Sequence, residues 1–152
     1  MKKYLTWDEY ITDCANAAGV ASNFGPFTAV LGVARGGLIP ATIIAHKLGI
    51  KRVFSLGVTY YDGDIKRDAP IVYQQLPAEI EYENVLIVDE VLDTGETWEH
   101  VIKHELERCR CNNYHFLALY SKDLYDKFKL SSLKMIDIET WLVMPYENEQ
   151  EC

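Results

Sequence analysis

The sequence predicts an α/β fold, a mainly parallel twisted sheet flanked by helices, and three observations predict it. Short β-branched and apolar runs alternate with segments whose apolar residues recur three and four apart. The run 85–88 is apolar at every position, as in a parallel strand covered on both faces. Glycine-bearing turns at 35–37 and 93–97 follow two of the strands, at the end where ligands sit in such sheets. Taken in order, residues 7–18 carry apolar side chains at 7, 10, 11, 14, 15 and 18, a helix with Thr6 as its cap and Gly19 as its stop. Residues 28–33 read as a buried strand entering the turn Arg35-Gly36-Gly37. Helical spacing returns over 38–48, with Pro40 tolerated in the first turn. Residues 53–60 form the next strand, and 61–83 is the one long irregular stretch, of the kind that serves as a lid. Strands at 85–88, 114–120 and 135–138 and a helix over 95–108 complete the pattern.

Composition narrows the function classes. Of 152 residues, 49% are hydrophobic and 25% charged, which suits a single domain over 1–152. Lys and Arg total 15 against 23 Asp and Glu, a net charge of −8, with acids clustered last at Glu147, Glu149 and Glu151. Nucleic-acid binding would call for a basic face, so nucleic acid is not the expected partner. No apolar run nears the roughly 20 residues of a membrane helix. The opening Met1-Lys2-Lys3-Tyr4 leads into Trp7-Asp8-Glu9 rather than an apolar signal core, and a cytoplasmic location is expected. Cys14, Cys109, Cys111 and Cys152 have neither disulfide-ladder nor zinc-knuckle spacing and read as thiols. His100 and His104 share a helix face, but Val101 stands where a zinc protease needs Glu.

The stretch Val85-Leu-Ile-Val-Asp89-Glu90-Val-Leu-Asp93-Thr94-Gly95-Glu96-Thr97 carries the chemistry. An apolar strand delivers two acids to its end, and a third acid, two hydroxyls and a glycine follow in the turn that opens a helix. Backbone N–H groups at such a turn cradle phosphate, and Thr94 and Thr97 add hydroxyl donors. Acids beside a phosphate repel it unless they bind ribose hydroxyls or Mg²⁺, and a sugar phosphate with Mg²⁺ satisfies every group. Asp93 alone would serve as a helix cap, but three acids beside two threonines exceed what capping needs.

This stretch resembles the phosphoribosyl pyrophosphate (PRPP) signature of the type I phosphoribosyltransferases. Gly32-Val-Ala-Arg35-Gly36-Gly37-Leu38-Ile-Pro40-Ala41 is similar to the pyrophosphate loop of that superfamily, in the form found in bacterial xanthine-guanine enzymes. Thr6-Trp7-Asp8 and Trp141-Leu-Val-Met-Pro145-Tyr146-Glu147 extend the likeness over nearly the whole chain. The resemblance implies that family's fold, with a flexible lid at about 60–75 and a C-terminal base-binding hood at about 122–152. It also implies a non-proline cis peptide in the loop, expected at Arg35–Gly36. Arg35, Gly36, Asp89, Glu90, Thr94, Gly95, Glu96 and Thr97 are then the PRPP and phosphate contacts, with Asp89 and Glu90 holding Mg²⁺.

Asp93 occupies the slot where family enzymes acting on 6-oxopurines carry their general base, at N7 of the base. Lys122 matches the lysine donating to O6, Trp141 the aromatic stacked on the ring, and Leu142 the residue offering backbone groups to the base edge. Glu90 replaces the second Asp of the common pair, Glu96 replaces a frequent Gly, Val143 fills a slot that is polar in the enterobacterial enzymes, and Tyr60-Tyr61 stands where the lid carries Ser-Tyr. The resemblance thus implies a Mg²⁺-dependent purine salvage enzyme that makes a nucleoside monophosphate from PRPP and guanine, xanthine or hypoxanthine, as a homo-oligomer, dimer or tetramer. Its rivals are a non-catalytic PRPP-sensing regulator, which would be expected to add a basic surface, and a transferase for another nucleobase.

Overall fold

The computed structural model describes residues 1–63, 65–122 and 130–147. Asp64, 123–129 within the expected hood, and 148–152 with Glu149, Glu151 and Cys152 lie outside the described residues. In chain order the elements are β1 (Lys2–Tyr4), α1 (Trp7–Ala21), β2 (Ala29–Ala34), α2 (Leu38–Leu48), β3 (Arg52–Asp62), β4 (Ile65–Gln74), β5 (Val85–Leu92), α3 (Lys103–Arg108), β6 (Tyr114–Ser121), β7 (Leu130–Met135) and β8 (Trp141–Val143). A 3₁₀ turn, Ala78–Tyr82, precedes β5, a π-helical turn, Trp98–Ile102, runs into α3, and a 3₁₀ turn, Pro145–Glu147, follows β8.

The main sheet has the order β4-β3-β2-β5-β6-β7 and is parallel except for the β3–β4 pair. Strand alternation sorts its side chains into two cores. Val30, Leu86, Val88, Leu117 and Leu119 meet α1 and α2 through Tyr10, Cys14, Ala41 and Ile44. On the other face Leu31, Val33, Ile87 and Phe116 meet Val101, Ile102 and Leu106. Chain direction changes sense between β2 and β5, since β2 leads through α2 outward to β3 and β5 leads through α3 outward to β6. That is the switch point at which doubly wound sheets open a crevice.

Several boundaries differ from expectation. Thr6 caps α1 with a full capping box, its hydroxyl accepting from Glu9 N at 3.1 Å while Glu9 accepts from Thr6 N at 2.8 Å. Gly19 does not stop the helix, which continues to Ala21 because Ala21 is buried and Val20 packs on the core. The stretch expected to be irregular instead forms β4, antiparallel to β3, then the 3₁₀ turn. Pro70 is tolerated there because β4 is an edge strand, and it falls where the pairing register shifts between Thr59 and Tyr61. β5 runs four residues past its expected end, pairing Asp89 with Ala118 and Leu92 with Ser121. The last strand of this sheet is Leu130–Met135, not 135–138, whose remainder turns back toward β8. A small second sheet pairs β1 with β8 in parallel, Lys2 opposite Trp141 and Tyr4 opposite Val143.

Candidate active site

Both glycine turns lie at the crevice between β2 and β5. The cis non-proline bond is Ala34–Arg35, one bond earlier than expected, and a second cis bond joins Gly25 to Pro26. Gly37 is pressed against the neighbouring strands: a Cβ there would collide with the Val88 carbonyl and come within 2.7 Å of Val33 N and O. A side chain at 37 would therefore push the turn off β5. Arg35 stands exposed beside it.

After β5 the chain turns through 93–97. Thr94 Oγ1 accepts from Glu96 N at 3.3 Å, Gly95 holds a φ of 82°, and Glu99 N donates to Gly95 O at 3.0 Å as the helical run begins. Gly is suited to 95 because other residues rarely adopt that φ. The turn lines a cavity of about 680 Å³ together with Asp89 and Asp93 on one side and Tyr60, Lys66 and Arg67 of the β3–β4 hairpin on the other. Tyr60 Oη lies 3.4 Å from Thr97 Oγ1, and Arg67 pairs with Asp62 at 2.6 Å. Hairpin and turn thus already touch across the mouth.

Asp89 and Glu90 do not point the same way. Because β5 continues to Leu92, adjacent side chains leave opposite faces of the sheet. Asp89 faces the large cavity, half-buried, with Glu90 N donating to its Oδ1 at 2.7 Å. Burial pushes its carboxyl up to about 7 against that hydrogen bond. Glu90 turns to the α1 face, where Tyr10 Oη donates to its Oε2 at 2.6 Å and Tyr146 Oη donates to Oε1 and Oε2 at 2.6 and 2.7 Å. Burial likewise raises Glu90 to about 7, the tyrosine hydrogen bonds opposing it, and both phenols are raised by burial and by this carboxylate. Glu90, expected beside Asp89 on the ribose and Mg²⁺, thus has its carboxylate hydrogen-bonded by two tyrosine hydroxyls.

A second cavity of about 240 Å³ opens beyond Asp93, lined by Glu90, Asp93, Lys122, Trp141, Leu142 and Met144 among others. Lys122 Nζ lies 3.7 Å from Asp93 Oδ2, and Lys122 N donates to Leu92 O at 3.0 Å, so β5 places the acid and steadies the lysine. Trp141 is 65% exposed, its face available, while Leu142 and Val143 are buried. β1 holds that strand, with Trp141 N donating to Met1 O at 2.8 Å and Leu5 N to Val143 O at 3.0 Å. Asp93 belongs to the walls of both cavities, whereas Arg35 and Gly36 stand outside both.

Asp89 fits a divalent cation. It is a carboxylate on the wall of the larger cavity whose charge burial disfavours, and Mg²⁺ takes one or two carboxylates, filling its shell with waters and substrate phosphates. No cluster of three or more His, Cys, Asp and Glu poised for a metal occurs among the described residues. Sequence reasoning missed Tyr10 and Tyr146. Tyr10 carried only the signal of an apolar helix face, and no local pattern announces that residues 10, 90 and 146 meet.

The phosphoribosyl transferase domain family matches residues 3–150. The purine phosphoribosyltransferase of Pyrococcus horikoshii is 30% identical, with a TM-score of 0.80 over 97% of this chain and 95% of that one. A hypothetical protein from Neisseria gonorrhoeae with bound ppGpp is 22% identical, with a TM-score of 0.82 over 98% and 90% of the two chains. The Helicobacter pylori xanthine-guanine-hypoxanthine phosphoribosyltransferase is 16% identical, with a TM-score of 0.77 over 99% and 97%. These last two likenesses are of fold.

Proposed function

Because the chain belongs to the phosphoribosyl transferase family, we propose that it is a purine salvage enzyme that moves the phosphoribosyl group of PRPP to N9 of guanine, xanthine or hypoxanthine and releases pyrophosphate. The observation that carries this reading is Asp93 on the wall common to two cavities, 3.7 Å from Lys122. A carboxylate and an ammonium at that spacing suit the N7 and O6 edge of a 6-oxopurine. Adenine presents an amino group at position 6, a donor that an ammonium cannot accept. The P. horikoshii relative, a purine phosphoribosyltransferase, supports the purine half of the assignment.

In this reading the turn 93–97 receives the 5′-phosphate through Thr94, Gly95, Glu96 and Thr97. Asp89 accepts from the ribose hydroxyls and is the protein's ligand for Mg²⁺. When bound, the metal neutralises charge on the pyrophosphate. Arg35, exposed at the crevice, and Lys66 and Arg67 of the hairpin offer positive charge to the leaving oxygens. The C1–oxygen bond to pyrophosphate breaks, the N9–C1 bond forms, and the base proton leaves through N7 to Asp93. Charges set in place before the reaction are the chief aid to such a step. Lys122 fixes the base by O6, and Trp141 covers its face. The hairpin over 60–75 is the lid that keeps water from the activated sugar.

A cytoplasmic homo-oligomer is part of the same reading, and no helix of the described residues is long and apolar enough to cross a membrane. The test is Asp93→Asn. It keeps PRPP affinity in a calorimetric titration while turnover falls about 100-fold or more, the scale of general-base catalysis. Undiminished turnover would remove Asp93 from the mechanism.

A further inference from the structure

Glu90 sits where three distant segments converge. Tyr10 reaches it from α1, Tyr146 reaches it from the turn after β8, and Gly36 of the loop after β2 lies over it, so close that a Cβ at 36 would stand 2.9 Å from Glu90 Oε1. The two phenol rings meet edge to face at 6.2 Å, and Trp7 packs edge-on against Tyr10 at the same separation. Tyr146 belongs to a tightly closed turn: Glu147 N donates to Met144 O at 3.0 Å and Met144 N to Glu147 Oε2 at 3.0 Å. That turn directly continues the strand bearing Trp141. Tyr146 thus ties this segment to a charged group of the main sheet, Glu90.

We infer that Tyr10 and Tyr146 are positioning residues that clamp Glu90 and thereby fix the Trp141 segment against β5 at the height a base requires over Asp93 and Lys122. This rests on the smaller cavity being the base site. Glu90 is 7% exposed, and a carboxylate that far from water needs its donors. With both hydroxyls in place the carboxylate is satisfied and the three segments are held at one point. Losing the Tyr146 hydroxyl frees the turn while leaving the volume of the ring, so packing persists and the link does not. Asp89, one residue away on the opposite face, keeps its place on the sugar side. The clamp therefore acts on the base and not on the sugar phosphate.

The experiment compares Tyr146→Phe, Tyr10→Phe and Tyr146→Phe combined with Glu90→Gln. Steady-state kinetics use a purine that the wild-type enzyme consumes, with hydrogen exchange followed over residues 141–147. Tyr146→Phe is expected to raise KM for the purine about ten-fold, the scale of one hydrogen bond to a charged group, with KM for PRPP moving less than about two-fold. Exchange over 141–147 quickens, and adding Glu90→Gln brings little further change because both substitutions break one link. Equal changes in the two KM values, or no change in purine KM and exchange, would overturn the clamp. Should Tyr146→Phe fail to fold, Tyr10→Phe is read by the same criteria. If the wild-type protein consumes no purine, the base-site reading fails on its own, and exchange decides: unaltered exchange over 141–147 rejects the clamp, faster exchange retains it.

Discussion

At Gly37 an added methyl group meets the Val88 carbonyl and both backbone polar atoms of Val33, none of which can withdraw without breaking the strand pairing. Gly37→Ala should therefore lower the free energy of unfolding by about 1–3 kcal/mol, measured by urea denaturation, as overpacking of a rigid site does. A stability equal to wild type would show that the loop has room to spare. Trp141 behaves differently, because most of its ring is in solvent. Trp141→Ala should cost little stability but weaken purine binding about ten-fold, the gain a flat aromatic contact gives, in a titration of the base against the protein. At this scale the sequence was informative where one residue type has one use, as with a glycine at 37, where no side chain fits. At Glu90 the surroundings could not be read. Two adjacent acids suggested one shared role, while strand alternation sends them to opposite faces and two tyrosine hydroxyls make the buried position tenable.

Elements are joined by polar ties as much as by apolar contact. Glu105 of α3 accepts from Leu76 N at 3.0 Å and from Arg108 Nη2 at 2.9 Å, while Arg108 Nη2 also donates to Leu76 O at 2.7 Å. The helix is thereby fastened to the chain entering β5. Burial acts to raise the Glu105 carboxyl, but Arg108 and the Leu76 N–H outweigh it and hold it below the ordinary 4.5. The unfolded chain then binds the proton more readily, so this stabilisation is complete above about pH 4.5 and is lost as pH falls through the lower folded value. Glu105→Gln should reduce stability by about 1–3 kcal/mol at neutral pH, with the gap narrowing under acid conditions in paired denaturant titrations. A gap that widens toward acid would reverse the assignment. Element boundaries were legible where local signals stood alone, as with the Thr6 cap of α1 and the whole of α2. Partners outside the segment decided the others. Gly19 stays helical because Val20 and Ala21 have a core to fill, and β4 escaped notice because an exposed edge strand with Lys66, Arg67 and Pro70 need not alternate.

For the molecule as a whole, the switch between β2 and β5 sets a cavity of about 680 Å³ beside one of about 240 Å³, with Asp93 common to both. The parallel α/β architecture and the glycine turn after β5 could be read from periodicity and motif. The β1–β8 pairing beside the smaller cavity could not, since it joins residues nearly the full length of the chain apart. The central claim is that a 6-oxopurine and PRPP react across Asp93, and the direct measurement is nucleoside monophosphate formed from PRPP and Mg²⁺ with guanine, xanthine, hypoxanthine, adenine and uracil in turn. The account predicts product from at least one of the 6-oxopurines and none from adenine or uracil. Product from adenine or uracil alone, or from no base at all, would contradict it.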